Sequence, residues 1–109
     1  MAFQRVNIGG GPSKSNVTFK IEVADSVTSD WYIMPAGIRE INVDVITSGS
    51  AVVQTSNDMD GMVAGTAAGI DWDFGAVTAN KAAVCSGVRG IRLVSNSGAA
   101  TLFVNGILA

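Results

Sequence analysis

Three stretches carry side chains from which a chemical site could be built. In "QTSNDMDGM", Asn57, Asp58 and Asp60 stand just ahead of Gly61, an arrangement of oxygen donors before a glycine that a calcium loop uses. With Asp60 and Gly61 in their loop places, such a loop needs an acid at Ser56 and a bidentate glutamate at Ala67, and neither is present. Short polar side chains that bond nearby backbone, followed by a glycine, are also what a tight turn requires, so the stretch reads as a hairpin connection. In "GGGPSKS", Lys14 and Ser15 follow a run of glycines, but a phosphate loop requires glycine at Ile8 and Ser13, with a strand before and a helix after. Asp71 and Asp73 flank Trp72; on a strand both carboxylates would share one face, about 7 Å apart. Catalytic carboxylates normally face each other across a cleft, so the pair reads as a solvated strand face opposite Trp72 and Phe74.

The remaining inventory is thin. The chain has no histidine, which removes the commonest general base and the commonest metal ligand together. Its one cysteine, Cys85, has no histidine partner and reads as a small packing residue. Arg89 and Arg92 fall on opposite faces of a strand by parity and cannot clamp one anion. The expectation is therefore a protein with no catalytic residues, no metal and no cofactor.

Composition narrows the class. With 109 residues, 48% hydrophobic and 15% charged, the chain suits one compact domain with one core, and no apolar run reaches the length of a membrane helix. The seven cations are spread along the chain and the net charge is −2, which disfavours nucleic acid as a partner because phosphate neutralisation needs a concentrated basic face. A single cysteine and an N-terminal stretch without the basic-then-apolar secretory pattern point to synthesis in a reducing cytoplasm, with no membrane partner. The low charge suggests that part of the surface is covered by partners.

The elements that would position these residues are strands. Residues 1–16, with Gly9, Gly10, Gly11 and Pro12, read as a flexible arm whose Phe3, Val6 and Ile8 are useful only when docked on a neighbour. From residue 17 to 109 the period is two: Val17, Phe19, Ile21 and Val23 share a face, and Ile41, Val43 and Val45 alternate with Asn42 and Asp44. "SDWYIMPAG" gives a short strand stopped by Pro35, "DWDFGAV" another with Trp72 and Phe74 on one side, and "MVAGTAAGI" a loop with room for one strand. "VRGIRLVS" and "ATLFVNGIL", joined by "NSGA", read as a hairpin. In the last run Leu102 and Val104 oppose Phe103, so one face leaves a large apolar side chain outside, which suits a subunit contact. The fold expected is all-β, a single sandwich or jelly roll of about seven or eight antiparallel strands with an extended N-terminal arm.

The succession "YIMPAGIREINVDV", "AVVQTSNDMDGM" and "VRGIRLVSNSGAATLFVNGIL", covering about residues 30–108, resembles small tailed-bacteriophage virion proteins. The resemblance implies a β-sandwich displayed on the virion, most like a capsid decoration (cement) protein. It implies the major capsid protein and further copies of the chain, a trimer, as partners. The arm residues Phe3, Arg5, Val6 and Ile8 would then be the anchors on a neighbour, with Phe103 as a further contact. The alternative is a carbohydrate-binding module of a phage tail or fibre that stacks sugar on Trp31, Tyr32 or Trp72.

Overall fold

A computed structural model of the protein describes residues 3–5 and 16–108. The strands are β1 (Phe3–Arg5), β2 (Asn16–Val23), β3 (Trp31–Ile33), β4 (Ile38–Thr47), β5 (Ser50–Ser56), β6 (Ile70–Asp71), β7 (Lys81–Ser86), β8 (Gly90–Ser97) and β9 (Ala100–Leu108); one helix, α1 (Met59–Ala64), lies between β5 and β6. They form two sheets, ordered β1-β3-β8-β5-β6 and β2-β9-β4-β7. We call these the first and second sheets. The all-β sandwich expected from the period-two patterns is present, with nine strands among the described residues rather than seven or eight.

Apart from β1, which pairs in parallel with β3, the two sheets are one antiparallel ribbon system bent double. β2, β9, β4 and β7 lie side by side in the second sheet, and their chain neighbours β3, β8, β5 and β6 lie in the same order in the first. The β4–β9 ladder runs out to Thr47 opposite Ala100, and the β5–β8 ladder resumes just beyond the bend with Ser50 opposite Ser97. On one side Thr28 bridges to Val94 along the path from β2 to β3, and on the other Val77 bridges to Ala51 along the path from β6 to β7.

The expected hairpin between "VRGIRLVS" and "ATLFVNGIL" is thus corrected: β8 and β9 are in different sheets and do not pair with each other. The turn residues are real, since Gly98 has φ +75° and its carbonyl accepts the Ser95 hydroxyl. What they turn is the corner. Gly49 passes so close that a Cβ there would sit 2.0 Å from the Ser97 carbonyl oxygen. Polar side chains lace the bend: Asp25 Oδ1 accepts the Gly98 N–H at 2.7 Å, and Asn80 Oδ1 accepts the Thr47 N–H at 3.1 Å.

Alternation decides what lies between the sheets. Val17 and Ile21 of β2, Ile41, Val43 and Val45 of β4 and Leu102 and Val104 of β9 are buried against Val53, Ile91 and Leu93 of the first sheet. Each such side chain contributes about 1.5–3 kcal/mol by leaving water. Aromatic residues close the two flanks. Phe19 stacks on Tyr32 with ring centroids 5.4 Å apart on the β2/β3 side, and Trp72 is buried on the β6/β7 side, where its Nε1 donates to the Gly75 carbonyl at 2.7 Å.

Two local readings are revised. The segment after Asn57 is helical, not a simple turn: Asp58 caps α1 by accepting the Gly61 N–H at 2.9 Å, and Gly65 ends it in the left-handed conformation with φ +79°. Only six residues are helical because glycine and threonine follow at once. "DWDFGAV" is not a continuous strand: β6 ends at Asp71, Trp72 to Gly75 form a turn, and Phe74 points outward at 47% exposure.

The arm expectation also changes. β1 pairs in parallel with β3, in the register Phe3 to Trp31, and Phe3 packs on a small cluster of Trp31, Ile33 and Met62 outside the first sheet. Val6, Ile8 and the proposed hinge at Gly9 to Gly11 lie outside the described residues.

Candidate functional site

The aspartate-rich stretch is occupied in building the fold. Asp58 caps α1, and Asn57 Oδ1 accepts the Arg89 N–H at 3.0 Å, so both oxygens serve backbone donors. Among the described residues no group of three or more metal-ligating side chains converges, and no helix is long and apolar enough to cross a membrane. Asp71 and Asp73 do not share a strand face; Asp71 instead accepts a hydrogen bond from Gln54 Nε2 at 2.8 Å. Arg92 lies with its guanidinium 4.4 Å from the Trp31 ring centroid, and its Nε donates to Gln54 Oε1 at 2.8 Å. Burial lowers its pKa.

The three aromatics considered for sugar stacking are placed differently from that need. Trp31 is 2% exposed, covered by Arg92 and the α1 cluster, and Trp72 is 6% exposed. Tyr32 is half-buried and stacked on Phe19; burial, and then the nearby Asp30, raise its phenol pKa. Neither indole offers a free face to a pyranose ring.

Of the five partner-binding candidates, Phe103 stands where the alternation places it. It is 46% exposed at the middle of the second sheet's outer face. The ladders set Lys20 of β2 on one side of it and Asp44 of β4 on the other. Together with Thr18, Asn42 and Asn105 they line a shallow depression of about 530 Å³. An apolar ring between a cation and an anion is a surface that can fix a partner's orientation by charge and its affinity by burial. Lys20 also pairs with Glu22 at 3.2 Å, with both side chains exposed, so this pair adds little stability. Arg5 is exposed, with its guanidinium 5.4 Å from the Phe3 ring centroid.

A second apolar region, not expected from the sequence, lies on the β6/β7 flank. Ile70 and Val84 are 63% and 62% exposed, and with Phe74 they border a groove of about 310 Å³ whose floor includes Trp72, Cys85 and Val88. Lys81 covers the Phe74 ring, its Nζ 4.2 Å from the centroid. Burial, and then the negative charge of Asp73, push the Cys85 thiol pKa up, away from the thiolate form that a nucleophile uses. The signal that could have found this region is the alternation of Ala82 and Val84 with Ala83 and Cys85, weak because alanine is a poor strand former.

In comparison with known proteins, no family model matches the chain and no curated protein matches it.

Proposed function

We propose that the protein is a non-enzymatic structural component of a tailed-bacteriophage virion that binds the assembled capsid as a decoration protein and associates with further copies of itself. The observation that carries this reading is the outer face of the second sheet, where Phe103 is held out of the core between Lys20 and Asp44. A large aromatic held out of the core between opposite charges is the kind of anchor an interface uses. The doubled sheet makes a stiff spacer, and a protein that binds only the finished shell shifts the equilibrium toward the intact particle by mass action. The major capsid protein is the partner of this face. Arg5 is the exposed contact on the N-terminal strand, whereas Phe3 is engaged within its own chain.

Sedimentation of the purified protein with empty shells tests the reading. Wild-type protein should travel with the particles, and Phe103→Glu should weaken binding by about tenfold or more, since buried aromatic anchors dominate interface energetics. Undiminished binding by this variant removes the face from the mechanism, and a saturable tryptophan-fluorescence response to glycans would favour the carbohydrate alternative.

A further inference from the structure

A β-sandwich with open edges must keep them from pairing with other chains, and the edges here differ in how they do so. In the first sheet the edge strands are very short, three residues in β1 and two in β6. In the second sheet β2 carries Thr18, the paired Lys20 and Glu22 along its exposed face. β7, at the other edge, runs for six residues with neither proline nor an acid, and its ladder to β4 is regular from Val45–Lys81 to Glu40–Ser86. Its one charged residue, Lys81, is drawn onto the Phe74 ring at the strand's start.

We propose that β7 is the self-association edge of this protein: β7 of one copy pairs antiparallel with β7 of a second copy about a two-fold axis, joining their second sheets into one. This rests on the homo-oligomer reading above and names its interface. Three features of the edge select a second copy as occupant. Antiparallel self-pairing keeps the sheet faces continuous only if residues of equal parity face each other, and an axis at Val84 sets Val84 against Val84 and Ala83 against Cys85. Small or apolar side chains meet at both positions.

The charges are complementary under the same symmetry. That register brings Lys81 of one copy toward the Cys85 end of its partner's strand, where Asp73 lines the same groove as Cys85. The apolar side chains exposed on this flank, Ile70, Phe74 and Val84, border the groove that runs along the joined edge and would be covered by the partner copy.

Sedimentation velocity of the full chain, with and without Val84→Lys, tests the proposal. Val84 is mostly exposed, so the variant should fold, and two lysines opposed across the axis should raise the dimer dissociation constant by about tenfold or more. A Val84→Cys, Cys85→Ser variant treated with an added oxidant should form a covalent dimer, whereas Phe103→Cys, Cys85→Ser should not. A wild-type chain that stays monomeric, a three-fold assembly indifferent to Val84→Lys, or cross-linking at position 103 and not at 84 would overturn it. Shell binding separates the two readings: a Val84→Lys monomer that still binds particles leaves the decoration role standing, and a wild-type dimer that ignores particles leaves only the edge pairing.

Discussion

The bend between the sheets makes a quantitative demand on one residue. A Cβ added at Gly49 would lie 2.0 Å from the Ser97 carbonyl oxygen and 2.7 Å from its carbonyl carbon. Carbon normally stays about 3.3 Å or more from a carbonyl oxygen, so Gly49→Ala must drive the two corner segments apart by roughly 1 Å. The obstructing atoms are backbone, held by the ladders on either side of the bend, and cannot rotate away as a side-chain end would. Overpacking of this kind costs about 2–3 kcal/mol, and at about 4–8 °C per kcal/mol for a domain near this size the melting temperature should fall by about 10–20 °C.

Gly98, across the same corner, provides the control. A Cβ there meets nothing closer than 3.5 Å, and the demand is its φ of +75°. Gly98→Ala should therefore cost about 1–2 kcal/mol, and Gly98→Asn should recover part of it because asparagine tolerates the left-handed region. No such rescue is expected for Gly49→Asn. Thermal unfolding followed by circular dichroism measures all four variants, and a Gly49→Ala protein that melts within error of wild type would refute the steric account of the corner.

The remaining expectations concern the helix and the half-buried thiol. Asp58→Ala removes the cap of α1 and should cost about 1 kcal/mol in urea unfolding, with Asp58→Ser or Asn restoring most of it; an unchanged midpoint would mean that α1 contributes nothing to global stability. Because the folded state holds the Cys85 proton to higher pH than the unfolded chain does, the associated stability is complete below the ordinary thiol range. It is lost as pH rises from there through the folded-state value. Tyr32 acts in the same direction at more alkaline pH. Cys85→Ser should therefore flatten the first part of the alkaline decline in urea midpoint, and a profile parallel to wild type would exclude the thiol as its source.

Strands with strict alternation were legible residue by residue. Val17, Ile21, Val43, Val45, Leu102 and Val104 are all in the core, and Phe103 is out, because a sheet buried on one face admits a single phase of the pattern. Connections were less legible, since local sequence specifies that the chain turns and not which sheet it turns into. "NSGA" has the composition of a hairpin, yet it serves a corner because β9 finds its ladders with β2 and β4, far away in sequence. α1 was hidden by glycine at Gly61 and Gly65, which lower helix propensity; tertiary contact of Met62 with Trp31 and Ile33 outweighs it. β7 was hidden for the opposite reason, since "KAAVCS" carries one β-branched residue and takes its conformation from β4. Phe103 was therefore found from the sequence, whereas the β6/β7 flank required the three-dimensional arrangement of two segments with weak patterns of their own.

The position of β9 has a consequence for biosynthesis. Among the described residues β2 finds its only sheet neighbour in β9, and β4 loses one of its two neighbours without it. A nascent chain that has not yet released residues 100–108 from the ribosome therefore holds β2 and one side of β4 with their apolar faces made and their partners missing. Assembly of that layer waits for β9, so any copies that terminate before it present sticky, half-built sheets and become substrates for chaperones and proteases, not shortened but working versions of the protein.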